Sequence, residues 1–166
     1  MNAALVSLEE YLNSSYSPDR EYVDGVVVER NVGERPHSAV LSNLIVSLHQ
    51  CHSGLHVWPI LRVRTAPSRV RVPDVCASLE DPRTDILEAP PLICIEILSP
   101  ADSMCDLMKK LEEYAAMGVR NIWVVDPRRR KAYTYRNRKL EEVAEGRLET
   151  EQPKIVLPLD EVFLDL

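Results

Sequence analysis

The sequence predicts an α/β domain built on a mixed β-sheet, and three observations predict it. Two nearly unbroken apolar runs, Leu92 to Leu98 and Ile122 to Val125, are what strands buried on both faces look like. Between them Leu107, Leu111, Tyr114 and Ala115 recur at helical spacing and Gly118 ends the run, so strand, helix and strand make a right-handed parallel crossover. β-rich segments on either side of Asp24-Gly25 and of Ala66-Pro67-Ser68 add antiparallel pairs and make the sheet mixed.

In chain order, Ser7 caps a short helix over Leu8 to Leu12, which the breakers Asn13-Ser14-Ser15 and Ser17-Pro18-Asp19 end. Glu21-Tyr22-Val23 and Val26-Val27-Val28-Glu29 flank Asp24-Gly25, a strong local signal for a β-hairpin. After Pro36, Val40, Leu41, Leu44, Ile45 and Leu48 mark one long amphipathic helix closed by Gly54. Leu55 to Thr65 and Val70 to Leu79 read as neighbouring antiparallel strands, with Arg62 and Arg64 on one face of the first. A loop rich in proline and acids leads to the buried strand at Leu92, and Ser99-Pro100 reads as a cap followed by proline in the first helical turn. Asp126-Pro127 stops the next strand, and Lys131 to Arg136 with Leu140 to Val143 form an antiparallel pair at the sheet margin. The tail carries Ile155-Val156-Leu157 and a helical turn near Asp160-Glu161-Val162. No repeat, linker or low-complexity segment interrupts it. The expectation is one domain over residues 1–166, with helix, three strands, helix and strand (αβββαβ) at its heart and a β-hairpin before it.

The 166 residues, 45% of them hydrophobic, suffice for a real core and exclude a disordered chain. No apolar stretch is long enough to span a bilayer, and Met1 to Leu5 lacks a basic region followed by a hydrophobic one, so a cytoplasmic protein without membrane partners is expected. Cys51, Cys76, Cys94 and Cys105 stand far apart without metal-ligand spacing and read as reduced, mostly packing thiols. A formal net charge of −6 argues against a protein that simply coats nucleic acid. Two basic windows remain, Arg62, Arg64, Arg69 and Arg71, and Arg128-Arg129-Arg130-Lys131 with Arg136, Arg138 and Lys139. Either serves as solvated turns and edge-strand gatekeepers or as phosphate contacts.

Three residues carry the chemistry. Glu96 sits inside a strand read as buried, where an unpaired carboxylate costs several kcal/mol or stays protonated; a divalent cation and a lysine would compensate it. Asp74 follows Pro73, which implies an edge, a strand start or a bulge; a simple Pro-Asp turn is the alternative. If the strands around residues 74 and 96 are adjacent and antiparallel, both carboxylates reach one cation of the Mg²⁺ type. Lys110 lies about 60° from core-facing Leu107 at about 100° per helical residue, so it flanks the buried face and points over the strand ends. A surface pair of Asp106 with Lys110 is the alternative. Lys109 is more exposed on the same projection and receives no role.

The order Glu21-Tyr22-Val23-Asp24-Gly25, His37 before a helix, Val72-Pro73-Asp74-Val75, Ile95-Glu96-Ile97-Leu98-Ser99-Pro100, Asp106 with Lys110-Leu111 and Tyr114, Gly118-Val119 and Ile122-Trp123-Val124-Val125-Asp126-Pro127 resembles the Uma-two family of restriction-endonuclease-like proteins, within the PD-(D/E)XK nuclease superfamily. The likeness runs over nearly the whole chain. It implies a restriction-endonuclease-like fold, dependence on Mg²⁺ or Mn²⁺, and hydrolysis of phosphodiesters, with DNA as substrate. Asp74 matches the aspartate after proline and Glu96 the acid of the third core strand, the two metal ligands. The superfamily's lysine usually stands two residues after that acid, where this chain has Leu98; the resemblance places it instead on the following helix, at Lys110. Glu21, Asp24 and His37 match recurrent family positions, Glu21 as a further acid near the metal and His37 as a group approaching from the helix start. Asp24 is explained by the hairpin turn itself.

His49, Cys51, His52 and His56 are dense but match no closed zinc pattern. Trp58 and Trp123 read as core fillers, and Tyr133 with Tyr135 as either base-stacking or cross-strand packing residues. The expected function is a Mg²⁺-dependent or Mn²⁺-dependent endonuclease cleaving DNA. The rival is a weak or inactive nuclease fold that binds nucleic acid or a partner, as a homodimer in one form.

Overall fold

The computed structural model describes residues 5–31 and 33–166. Met1 to Ala4, read above for a leader, lies outside them. α1 (Leu8–Leu12) starts at Ser7, whose hydroxyl accepts from the Glu10 N–H. β1 (Arg20–Val23) and β2 (Val26–Glu29) pair antiparallel, and Asp24 and Gly25 both take positive φ, 48° and 92°, as the tightest hairpin turn requires. α2 (Arg35–Cys51) follows, with proline in its first turn. It ends three residues before Gly54, where His52 turns extended, so the glycine lies beyond the end and does not close it.

The two long strands expected over Leu55 to Thr65 and Val70 to Leu79 are each broken in two. The pieces are β3 (His56–Pro59), β4 (Arg62–Ala66), β5 (Arg69–Arg71) and β6 (Val75–Ser78). The breaks fall at Ile60, which adopts φ 53°, and at Val72-Pro73-Asp74, where proline supplies no ladder N–H. Between the breaks the β4–β5 hairpin leaves one sheet and joins another, pairing with β1. β7 (Ile86–Leu87), inside the proline-rich loop, pairs parallel to β4.

β8 (Ile93–Ile97), α3 (Met104–Met117) and β9 (Asn121–Asp126) form the expected crossover, with β8 and β9 parallel. α3 is capped by Ser103 rather than Ser99, and Pro100 stands before the helix. Gly118, at φ 107°, caps its end, and the Val119 N–H donates back to the Tyr114 carbonyl. β10 (Lys131–Arg136) and β11 (Lys139–Glu142) extend the sheet antiparallel; β12 (Arg147–Thr150) pairs with β13 (Ile155–Pro158) before α4 (Leu159–Val162).

The larger sheet has the order β11-β10-β9-β8-β6-β3 and the smaller β2-β1-β5-β4-β7. α2, β3, β6, β8, α3 and β9 thus reproduce the expected αβββαβ core. One core joins Val40, Leu44 and Leu48 of α2 to Ile93, Ile95 and Trp123; a second joins Leu107, Leu111 and Tyr114 of α3 to Cys94, Ile122 and Val124. Strand alternation therefore sends the isoleucines of β8 toward α2 and sends Cys94 and Glu96 toward α3. Among the described residues no helix is long and apolar enough to cross a membrane.

An added Cβ at Gly118 would meet only ordinary contacts with Pro90, so Gly118→Ala tests the left-handed cap alone. It should lower stability by about 1–2 kcal/mol, read as a lower denaturant midpoint at unchanged slope.

Candidate active site

Glu96 faces α3 because it is one step of alternation beyond Cys94. Three residues of that helix, Lys110, Glu113 and Tyr114, are spaced to share the face it meets. The Lys110 ammonium lies 2.9 Å from Glu96 Oε2 and 2.9 Å from Glu21 Oε1. The Tyr114 hydroxyl donates to Glu96 Oε1 at 2.6 Å. Both oxygens of a carboxylate that is only 6% exposed are thereby engaged.

Asp74 stands at the entry to β6, one position before the Val75–Ile95 pair that sets β6 antiparallel to β8. Its carbonyl accepts from the Ile60 N–H at 3.1 Å, which anchors the backbone across the break in both strands. Its Oδ2 accepts from the Ile97 N–H at 2.8 Å, and Oδ1 takes Arg30 at 2.7 Å and His37 Nε2 at 3.3 Å. His37 comes from the first turn of α2 and Arg30 from the chain just after β2.

Glu21, in β1, joins the group from the smaller sheet. It accepts from the Val72 N–H and from Arg71. Arg71 also forks onto Glu113, Nε to Oε2 at 2.8 Å and Nη2 to Oε1 at 2.6 Å. The bidentate geometry joins β5 to α3 and so fixes the helix that carries Lys110.

The charges are unevenly compensated. Burial pushes Glu21 up, but Lys110 and Arg71 outweigh it and hold the carboxyl below its ordinary value. For Asp74 burial is again outweighed, by the His37 hydrogen bond and by Arg30. Glu96 goes the other way: burial raises its proton affinity, Lys110 opposes this, and the neighbouring Asp74 and Glu21 carboxylates raise it further. His37 is raised chiefly by its hydrogen bond to Asp74.

Glu21, His37, Asp74, Glu96 and Lys110 all line one cavity of about 460 Å³. Its wall carries six carboxylates, Glu21, Glu29, Asp74, Glu96, Asp102 and Asp106, against Arg30, Arg71, Lys109 and Lys110, a formal excess of two negative charges with His37 neutral. Ser99 lines it too, and its hydroxyl is the buried side-chain polar atom found without a partner among the described residues.

Other residues singled out in the sequence have partners outside the Lys110–Glu96–Asp74 group or bridge to it. Lys109 pairs with exposed Asp106. Arg62 donates to the Leu12 and Ser14 carbonyls, Arg64 binds Glu88, Arg69 binds Asp24 and Glu113, and Arg71 binds Glu21 and Glu113. Each arginine of the window read either as gatekeepers or as phosphate contacts thus has a partner within the chain, backbone carbonyls for Arg62 and carboxylates for the other three. Tyr135 is buried among core residues and Tyr133 packs against them, so cross-strand packing accounts for this pair. Sequence reasoning missed Arg30, which no pattern marks, and the roles of Glu113 and Tyr114. Spacing of three and four residues from Lys110 was the signal available for those two.

A divalent cation with hard oxygen ligands fits the donor set. A carboxylate offers about four lone-pair sites. Asp74 accepts from Arg30, His37 and Ile97, and Glu96 from Lys110 and Tyr114, so acceptor capacity remains on both. A cation beside them would also favour the charged form of Glu96, which burial and the neighbouring carboxylates disfavour. No group of three or more His, Cys, Asp or Glu is placed to hold a metal among the described residues. The segment from His49 to His56 therefore forms no zinc cage.

The chain belongs to the Uma2 family, described as "Putative restriction endonuclease", which it matches over residues 8–164. The crystal structure titled as a putative nuclease belonging to DUF820, from Anabaena variabilis ATCC 29413, is similar at a TM-score of 0.79, covering 95% of this chain and 97% of that one at 21% sequence identity. That likeness shows a shared fold, and the restriction-endonuclease-like architecture is the one expected. No curated protein matches the chain.

Arg71→Met would strip the fork from two carboxylates and should cost about 3–5 kcal/mol. Arg71→Lys should recover part of this, since charge returns without the bidentate geometry. Glu21 and Glu113 are both held below their ordinary value near 4.5, so the stability they contribute is present above that pH and lost as pH falls through their lowered values. The gap between wild type and Arg71→Met should therefore be full at pH 7 and narrow below about pH 4.5 in denaturant titrations.

Proposed function

We propose that the protein is a Mg²⁺-dependent or Mn²⁺-dependent endonuclease that hydrolyses phosphodiester bonds in DNA. The observation that carries the reading is the placement of Lys110 between Glu96 and Glu21, with Asp74 beside them, in a cavity whose wall is formally negative. A negative cavity repels a phosphodiester unless a cation enters with it. Family membership supports the same reading.

In this mechanism Asp74 and Glu96 would hold the cation, with a backbone carbonyl near Ile97 as a further oxygen donor. When bound, it lowers the pKa of water and neutralises charge on the transferring phosphoryl group. Lys110 remains an ammonium: burial opposes its charge, but Glu96 and Glu21 outweigh this and raise its proton affinity. A lysine so held is a poor general base and a good electrostatic partner. Lys110 orients the attacking water or contacts the scissile phosphate from the side of α3. Tyr114 and Glu21 position Glu96 and Lys110, and Arg71 and Glu113 hold that arrangement rigid.

Cleavage of single-stranded, duplex and branched DNA, with RNA alongside, tests the proposal in Mg²⁺ or Mn²⁺. Asp74→Ala, Glu96→Gln and Lys110→Ala should each lower turnover by about 100-fold or more. Equal rates for wild type and the three variants would remove the mechanism.

A further inference from the structure

The strand register divides the second basic window of the sequence between opposite ends of the sheet. β10 runs antiparallel to β9, pairing Lys131 with Asp126 and Thr134 with Trp123. Arg128 to Lys131 therefore lie where β9 ends, whereas Arg136, Arg138 and Lys139 lie about 17 Å away at some 3.3 Å per strand residue.

The first of these ends is the end of the cavity. Ile97 pairs with Val125 in the parallel ladder, and the Leu98 N–H donates to the Val125 carbonyl at 2.8 Å, so the β9–β10 turn begins beside the strand end that carries Glu96. A second contact gives the same placement independently. Arg128 reaches Glu34 at 2.7 Å, and Glu34 opens the helix whose first turn brings His37 to Asp74.

The turn is built to present two guanidinium groups. Asp126 Oδ1 accepts from the Arg128 and Arg129 N–H groups at 3.0 and 3.1 Å, which pins the backbone while the side chains stand out, 58% and 74% exposed. Arg128 holds one exposed partner, and Arg129 meets Asp126 only at 3.8 Å. Solvent-exposed pairs of this kind contribute little and exchange readily. By contrast, Arg130 donates to the Phe163 and Leu166 carbonyls.

We infer that Arg128 and Arg129 form a docking surface for the phosphate backbone of a nucleic acid, gripping phosphates beside the one that enters the cavity. Charge complementarity argues for it. The cavity wall is itself acidic and Arg71 is buried in its contacts with Glu21 and Glu113, so a polyanion approaching the site meets two exposed, weakly paired guanidinium groups at this turn. The inference rests on the nuclease reading for its partner. Contacts of this type position a strand without reading its sequence.

The test is fluorescence anisotropy on the whole chain with labelled duplex DNA, single-stranded DNA and RNA of equal length, in Ca²⁺, across a salt series. Arg128→Gln with Arg129→Gln should weaken binding about tenfold near 0.1 M salt. The slope of log affinity against log salt should become shallower by about 1.8 for duplex DNA or about 1.4 for a single strand, and the arm with the larger loss identifies the backbone preferred. Arg138→Gln with Lys139→Gln, which removes the same net charge at the far end, should bind as wild type does. The melting temperature of the first variant should be unchanged, since both side chains are exposed. Unaltered binding by that variant, equal loss in the far-end variant, or absence of binding by wild type would each overturn the surface. Cleavage that depends on Asp74 in a variant with unaltered binding would leave the nuclease reading standing while the docking surface fell.

Discussion

An ammonium group held between two buried carboxylates is the constraint on which the rest of this molecule turns. Glu21 and Glu96 are 4% and 6% exposed, and neither could remain charged there alone, because burying an isolated carboxylate costs more than folding can supply. Lys110 compensates both at 2.9 Å. One is in the hairpin sheet and the other in the central sheet, so the lysine also joins the two sheets electrostatically. The helix must then be held in one rotation and one height, which the Arg71 fork onto Glu113 accomplishes. Clusters of this kind seldom exceed well-packed apolar side chains in stability; a preorganised polar site at the mouth of a cavity is the arrangement they suit.

The same constraint explains why the strands break where they do. A continuous β3–β4 strand and a continuous β5–β6 strand would keep Arg71 in the sheet of Asp74. Breaking them at Ile60 and Pro73 lets the β4–β5 hairpin cross to the smaller sheet, which sets Arg71 beside Glu21 and leaves Asp74 at the threshold of β6. The Asp74 carboxylate can then accept from the Ile97 N–H on β8, and the cavity opens between the two sheets, with α3 on one side and the start of α2 on another.

The central crossover, the first hairpin and the long helix were legible in the sequence because their periodicity is strong and local. Glu96 and Lys110 were legible for a related reason: one breaks a buried apolar run, and the other flanks an apolar stripe at a computable angle. What the pattern could not carry was the change of sheet, since the residues on both sides of Ile60 and Pro73 continue to look like strand. β7 and β12 were missed because a two-residue strand and a mostly polar edge leave little alternation to read. The arginines between 62 and 71 looked like one surface, yet their partners, Asp24, Glu21 and Glu113, are separated from them by more than forty residues in most cases. Tyr114 fitted the apolar period so well that its hydroxyl was hidden by the packing of its ring, and Arg30 lies in irregular chain that no period describes.

On the proposed function, Asp74 and Glu96 form one oxygen site for a divalent cation, with Lys110 beside it. Calorimetric titration with Mn²⁺ measures this without reference to any substrate. One uptake site is expected in the wild type and should be lost in both Asp74→Asn and Glu96→Gln, while each variant keeps its cooperative unfolding. Mn²⁺ uptake that persists unchanged in both variants, or that is absent from the folded wild type, would contradict it.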